Sequence, residues 1–91
     1  MDKSFTATIL TREGAVYKGD ITSLVAPGEV GYLGILANHA PLVTSLVPGN
    51  IILKKDPANT VIFKNTGKGF LEVVKNNVLI LLDSVETSHS S

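Results

Sequence analysis

The side chains that could do chemistry are few in this chain, and they do not converge. Histidine occurs only at His39 and His89, and cysteine does not occur. His39 could serve as a general acid or base with Glu29 upstream. A working base, however, needs an orienting partner and a substrate within reach. A lone histidine reads better as a surface or interface residue that makes hydrogen bonds. Metal binding needs three or four convergent ligands, which this pattern does not supply. Without cysteine there are neither disulfide staples nor thiolate metal sites. The expectation is no catalytic, metal-ligating or cofactor-binding residue.

Glycines and lysines meet the same test. Gly31-Tyr32-Leu33-Gly34 lacks the lysine, the hydroxyl and the following helix of a phosphate-cradling loop. Thr66-Gly67-Lys68-Gly69 lies between two strand patterns and is a hairpin loop by composition. Lys54 and Lys55 flank a turn, so a second reading is a small carrier sandwich that presents a lysine for lipoyl or biotinyl attachment. Lys54-Lys55-Asp56-Pro57 matches neither a Glu-x-Asp-Lys-Ala nor a Met-Lys-Met surround, so this stays an alternative, beside a generic protein-binding sandwich.

Composition narrows the classes further. Ninety-one residues allow one domain with a modest core. Eight basic and eight acidic residues give zero formal net charge, which argues against nucleic acid as the partner. Five lysines between Lys54 and Lys75 face two acids there, a mild excess that reads as a solvated sheet face. The start of the chain shows no apolar core of a secretory signal. The longest apolar run, residues 78–82, is too short to span a bilayer.

The elements that position these residues follow a period of two. Phe5, Ala7 and Ile9 alternate with Thr6, Thr8 and Leu10, the pattern of a half-buried strand. Strand-like runs recur at 21–26, 42–47, 51–53, 60–64, 70–75 and 78–82, with a short one around Val16 and Lys18. Arg12-Glu13-Gly14, Pro27-Gly28, Pro48-Gly49-Asn50, Asp56-Pro57-Ala58-Asn59 and Asn76-Asn77 supply turns between them. Turn signals about every 8–12 residues suit an all-β sandwich or barrel. Residues 1–85 form the expected domain, and the polar residues 86–91 read as a flexible, frayed tail.

One stretch departs from this regularity: residues 31–41, GYLGILANHAP. At period two, Leu33 and Ile35 share one face while Tyr32 and Leu36 share the other. One pair is expected to be covered by the domain and the other by a partner. The stretch GYLGILANHAPLVTSLVPGNI resembles the G-E-L-G-I-x-P-G-H-A-P-L-x-T-x-x-x-P-G signature of the ε subunit of F-type ATP synthases. Similarity extends to FTATILTREGAVYKGD near the start and GFLEVVKNNVLILLD near the end, so it covers nearly the whole chain in order.

The resemblance implies a flattened β-sandwich of two roughly five-stranded sheets, the family's N-terminal domain, with no C-terminal helical domain in this chain. It implies a non-catalytic rotor subunit of the central stalk that couples the c-ring to the γ subunit in proton-driven ATP synthesis. The site would be the cytoplasmic face of a bacterial inner membrane, without direct membrane insertion. Carried over by position, the γ-facing residues are His39, Ala40, Pro41, Leu42 and Thr44. The c-ring-facing residues are Glu29, Gly31, Tyr32 and Leu33. Two departures matter. Tyr32 stands where the family commonly has an acid, and Ala37-Asn38 replaces the family's proline-glycine. Many relatives continue into two helices that inhibit hydrolysis and sometimes bind ATP. The expectation here is a short form with a coupling role only and no ATP site.

Overall fold

The computed structural model describes residues 3–90, and no helix occurs among them. Ten strands follow in chain order: β1 (Phe5–Thr11), β2 (Gly14–Ile21), β3 (Ser23–Gly28), β4 (Gly31–Leu36), β5 (Leu42–Leu46), β6 (Gly49–Asp56), β7 (Asn59–Asn65), β8 (Gly69–Val74), β9 (Asn77–Leu82) and β10 (Val85–Ser90). They form one strongly curled mixed sheet in the order β10-β7-β6-β3-β5-β8-β9-β1-β2, with β4 paired to β3. The curl makes it a sandwich. β10, β7, β6, β3 and β4 form one layer, and β5, β8, β9, β1 and β2 form the other. The layers join at a single bridging pair, Gly28 opposite Leu46, beside a hydrogen bond from Val47 N–H to the Pro27 carbonyl (2.9 Å). The expected two five-stranded sheets are therefore present, but they are continuous at one corner. β1 and β9 make the one parallel pair among the ladders.

Alternation of side chains builds the core. Leu24, Ala26, Ile35, Ile51, Leu53 and Phe63 point inward from the first layer. Phe5, Ala7, Ile9, Leu71, Val73, Val78 and Ile80 meet them from the second. The short principal extent, 25 Å, fits two sheets about 10 Å apart with side chains outside. Opposite the joined corner, the seam is closed by Tyr17 of β2 against Phe63 of β7, edge to face with ring centroids 5.9 Å apart. Burial, and then the nearby Asp20 carboxylate, push the Tyr17 hydroxyl above its ordinary pKa.

Several boundaries differ from the sequence expectation. Pro27-Gly28 is not a turn: both residues are buried in β3, and the turn falls on Glu29-Val30. The β8–β9 hairpin forms as expected, but its turn is Lys75-Asn76, one residue earlier. Both residues have positive φ (48° and 63°), which a primed two-residue turn requires. The irregularity of β2 lies near Val16, opposite the step between Ile9 and Leu10. The expected frayed tail over 86–91 also differs. Val85–Ser90 pairs antiparallel with β7 from Val85–Asn65 to Ser90–Thr60, while Ser91 lies outside the described residues. An edge strand takes its stability from one backbone ladder, so a polar composition does not forbid it.

Asn65 is the one polar residue buried among the described residues. Its amide nitrogen donates to the Val47 carbonyl (2.9 Å), and its Oδ1 accepts from Gly67 N–H (3.2 Å). It thereby ties the loop after β5 to the loop after β7. Asn65→Leu keeps the branched side-chain shape but leaves two backbone groups unpaired, each worth about 1–3 kcal/mol when buried. The expected loss is about 2–4 kcal/mol, read as a lowered urea midpoint with an unchanged m-value.

Candidate functional site

The special stretch of the sequence becomes a hairpin arm and a loop. β3 and β4 pair from Gly28–Gly31 to Ser23–Leu36 around the two-residue turn Glu29-Val30. Glu29 and Gly31 are exposed, and the Val30 side chain stands fully in solvent. Along β4 the two expected faces separate. Ile35 is buried and Leu33 packs against the core, whereas Tyr32 is 60% and Leu36 64% exposed. The domain covers the Leu33–Ile35 pair and leaves the Tyr32–Leu36 pair open.

Tyr32 is held rather than loose. Its hydroxyl accepts a hydrogen bond from the Asn50 N–H (3.2 Å) across the outer face of β3. Gly49 makes this possible. A Cβ built there would lie 2.8 Å from the Tyr32 hydroxyl and 2.9 Å from the Pro27 Cβ. The ring, the proline and the glycine are therefore mutually dependent. The aromatic ring at this position binds the arm to β6 and keeps its own O–H as a free donor.

The loop after β4 is fixed from below. Asn38 has a left-handed backbone, φ 66°, so it supplies the conformation that glycine would otherwise provide. Its N–H donates to Asn76 Oδ1 (2.6 Å), and Asn76 Nδ2 donates to Asn38 Oδ1 (3.1 Å). The loop is thereby clamped to the β8–β9 turn. His39 donates from Nδ1 to the Ala40 carbonyl (2.7 Å), so its Nε2 is the nitrogen left for a contact. No cluster of metal-ligating side chains occurs among the described residues. With its Nδ1 donor spent on the adjacent backbone, His39 is left with Nε2 as its free ring nitrogen.

The carried-over group His39, Ala40, Pro41, Leu42 and Thr44 does not share one surface. Ala40 and Pro41 are exposed, but Leu42 and Thr44 sit opposite the buried Val73 and Leu71 on the inner side of the sheet. Leu42 packs on the core. The outward residues of β5 are Val43 and Ser45 instead. Val43, 70% exposed, lies beside Glu72, Leu79 and Thr8 on successive strands. One row over, Ser45, Phe70, Leu81 and Leu10 are aligned, with Phe70 57% and Leu81 43% exposed. This forms an apolar outer face on the layer that carries the loop. Phe70 and Leu81 were legible as alternate positions in apolar strands, but alternation does not say which face is the core.

The Lys54–Lys55 hairpin offers no presented lysine. Its turn residues are Pro57 and Ala58, while both lysines lie within β6. Lys55 reaches back over the Tyr17 ring, 6.0 Å from its centroid.

A family model for the β-sandwich domain of the ATP synthase delta/epsilon chain matches residues 4–88. The chain belongs to this family. It is 37% identical over 83 residues to the ATP synthase epsilon chain of Dichelobacter nodosus, covering 91% of this chain and 57% of the relative. To the epsilon chain of Acidithiobacillus ferridurans it is 41% identical over 78 residues, covering 86% and 54%. The chain thus spans a little over half the length of these epsilon chains. Two solved assemblies contain a chain of the same fold. One is the Euglena gracilis mitochondrial ATP synthase (OSCP/F1/c-ring), with TM-score 0.86, 17% identity, 96% of this chain and 55% of that one. The other is the Tetrahymena thermophila central stalk and c-ring, with TM-score 0.75, 16% identity, 89% and 64%.

Two outcomes test the local geometry. Tyr32→Phe removes one partly solvated hydrogen bond and costs about 0.5–1 kcal/mol. Gly49→Ala forces the ring and proline apart and costs about 1–3 kcal/mol, so it should lower the urea midpoint more. In the β6–β7 turn, bonds from the Asn59 amide and then the Ala58 N–H hold the Asp56 carboxyl below its ordinary range. A depressed folded-state pKa contributes stability above the unfolded value and loses it as pH falls through the folded one. An NMR titration should place the Asp56 midpoint below that of a free aspartate, and Asn59→Ala should raise it.

Proposed function

We propose that this domain is a non-catalytic rotor part of an F-type ATP synthase, joining the γ subunit to the c-ring. The observation that carries the reading is the apolar outer face of Val43, Phe70 and Leu81, set beside the His39–Pro41 loop. A row of exposed aromatic and aliphatic side chains on one face of a neutral domain is an interface awaiting its cover. The γ subunit covers this face, with His39, Ala40 and Pro41 at its edge. Leu42 and Thr44 shape the surface from beneath.

The c-ring contact is the arm tip: Glu29, Val30, Gly31 and Tyr32, with Leu33 anchoring it inward. Glu29 supplies the one carboxylate of the tip, and Tyr32 contributes a hydroxyl donor and ring surface in place of a second charge. Torque passes between the two contacts through the joined corner, where no flexible linker intervenes. In the assembled enzyme the domain sits at the cytoplasmic face of a bacterial inner membrane, held there through its partners. No helix among the described residues is long and apolar enough to cross a membrane. The domain performs no bond chemistry and carries no ATP site of its own in this role. The carrier alternative finds no support in a hairpin whose turn holds proline and alanine.

Titration of the domain with purified γ, followed by calorimetry, tests the reading. Phe70→Asp places a carboxylate in the centre of the covered face and should weaken binding about 30-fold or more, since a central anchor carries about 2 kcal/mol or more. His39→Glu, at the rim, should weaken it less. Glu29→Lys should leave γ binding intact and disturb only the assembled rotor. Equal affinity for γ in the Phe70→Asp and parent proteins, with both folded, would overturn the proposal.

A further inference from the structure

β4 is an edge strand without any of the usual guards. Its two-residue turn closes on the pair Gly28–Gly31, so Gly31, Leu33 and Ile35 are the residues that exchange hydrogen bonds with β3. The phase is checked from the other side of β3, where the Pro27 carbonyl points away from β4 to Val47 N–H. The N–H and C=O groups of Tyr32, Gly34 and Leu36 therefore point out of the sheet, and among the described residues nothing else bonds them. The strand reads GYLGIL: it carries no charge, no proline and no lysine. Its ladder with β3 runs through six consecutive pairs without a bulge. Sheet edges of this kind are templates for another strand.

The side chains narrow the occupant. Two copies of one strand related by a two-fold axis through the sheet must meet in a register centred on a residue, because opposite residues point to the same face. If the axis passes through Gly34, the outward backbone groups of Tyr32, Gly34 and Leu36 face their counterparts. Tyr32 then stands opposite the partner's Leu36 on the outer face, and Leu33 opposite the partner's Ile35. The two exposed apolar residues of the strand become each other's cross-strand partners. Gly34 sits on the axis, where a Cβ would meet nothing within 4 Å, so the centre of the pair is open for close approach. A register shifted by two residues in either direction loses both Tyr32–Leu36 matches, because the two are related by the axis.

We infer that β4 is a self-complementary edge through which a second copy of this chain pairs antiparallel about Gly34, joining the two β4-bearing layers into one sheet. The zero net charge of the chain opposes this no further. One short ladder and two apolar pairs per dimer make a small interface, so the dimer is weak and concentration-dependent. If Tyr32 faces the c-ring, as proposed above, the self-paired form and the ring-bound form exclude each other. That consequence rests on the ring-facing reading, whereas the pairing does not.

Sedimentation velocity of the parent chain over about two decades of concentration, with amide NMR on the same samples, tests this. The expected result is a monomer–dimer shift in which the concentration-dependent amides are Tyr32, Gly34 and Leu36. Gly34→Lys puts two like charges on the axis, in space the monomer leaves open, and should return the protein to a monomer while γ binding is retained. Gly34→Cys supplies the sole thiol of the chain and should oxidise to a covalent dimer, whereas Val43→Cys should not. A parent protein that stays monomeric throughout overturns the inference. So does association that survives Gly34→Lys, or shifts that fall on Val43, Phe70 and Leu81. Loss of γ binding with self-pairing intact would instead count against the rotor reading alone.

Discussion

The fold depends on β3 belonging to two layers at once. Ser23, Leu24 and Val25 are paired with β6, and three residues later Gly28 is paired with β5. Between these pairings the strand must change neighbours without stranding a buried donor. Pro27 stands at that changeover. It has no N–H to leave unpaired where β6 has diverged, and its carbonyl is taken up by Val47. Because β4 follows β3 through the change, the arm with its Glu29-Val30 tip projects from the corner where the layers meet. Tyr32 lies over Pro27 at the same place, and Asn65 ties the adjoining loops behind it. The corner thus sets the position of the arm, the fixed ring on its outer face and the spacing of the two layers.

Much of this architecture was legible in the residue order, because strands with one buried face write themselves as alternation. FTATIL and GFLEVV mark the inner residues of β1 and β8 without ambiguity about the element. The split of β4 into a covered and an open face followed from the same rule. Pro27-Gly28 was misleading because a turn dipeptide and a strand-switching dipeptide share their composition. What separates them is whether a neighbouring strand takes up the proline carbonyl, a non-local fact. The shift of the β8–β9 turn to Lys75-Asn76 has a similar origin. Three successive residues tolerate or sit near left-handed backbone, and the register with β9 decides among them.

The limits were sharper for the contact surface. In Leu42-Val43-Thr44 the apolar and β-branched residues occupy both parities, so a one-residue slip would exchange inside and outside at no visible cost in pattern. The ladder with β8 resolves it by setting Leu42 beside the buried Val73 and Val43 beside Glu72. Position-by-position carry-over could identify the strand that matters, but not which of its faces. Phe70 and Leu81 were missed for a related reason. They are apolar residues in apolar strands, and only burial distinguishes an exposed anchor from a core side chain.

Those ambiguities share a physical cause. A free-standing sandwich can afford polar residues at every outward position, and its sequence then alternates cleanly. Here outward positions on both layers are apolar: Val43, Phe70 and Leu81 on one, Tyr32 and Leu36 on the other. Apolar outward positions erase the polar half of the alternation, so the pattern blurs wherever a face is suited to being covered. Tyr32 shows how such a surface can remain orderly while uncovered. An acid at this position would be free to swing in water, whereas the tyrosine is pinned by Asn50, Pro27 and the missing side chain of Gly49. If the arm meets a partner as proposed, its aromatic group is already placed, and less side-chain freedom remains to be lost on binding. At the arm, ordering is built into the monomer: the hydrogen bond from Asn50 and the space left by Gly49 hold the ring before any partner is present.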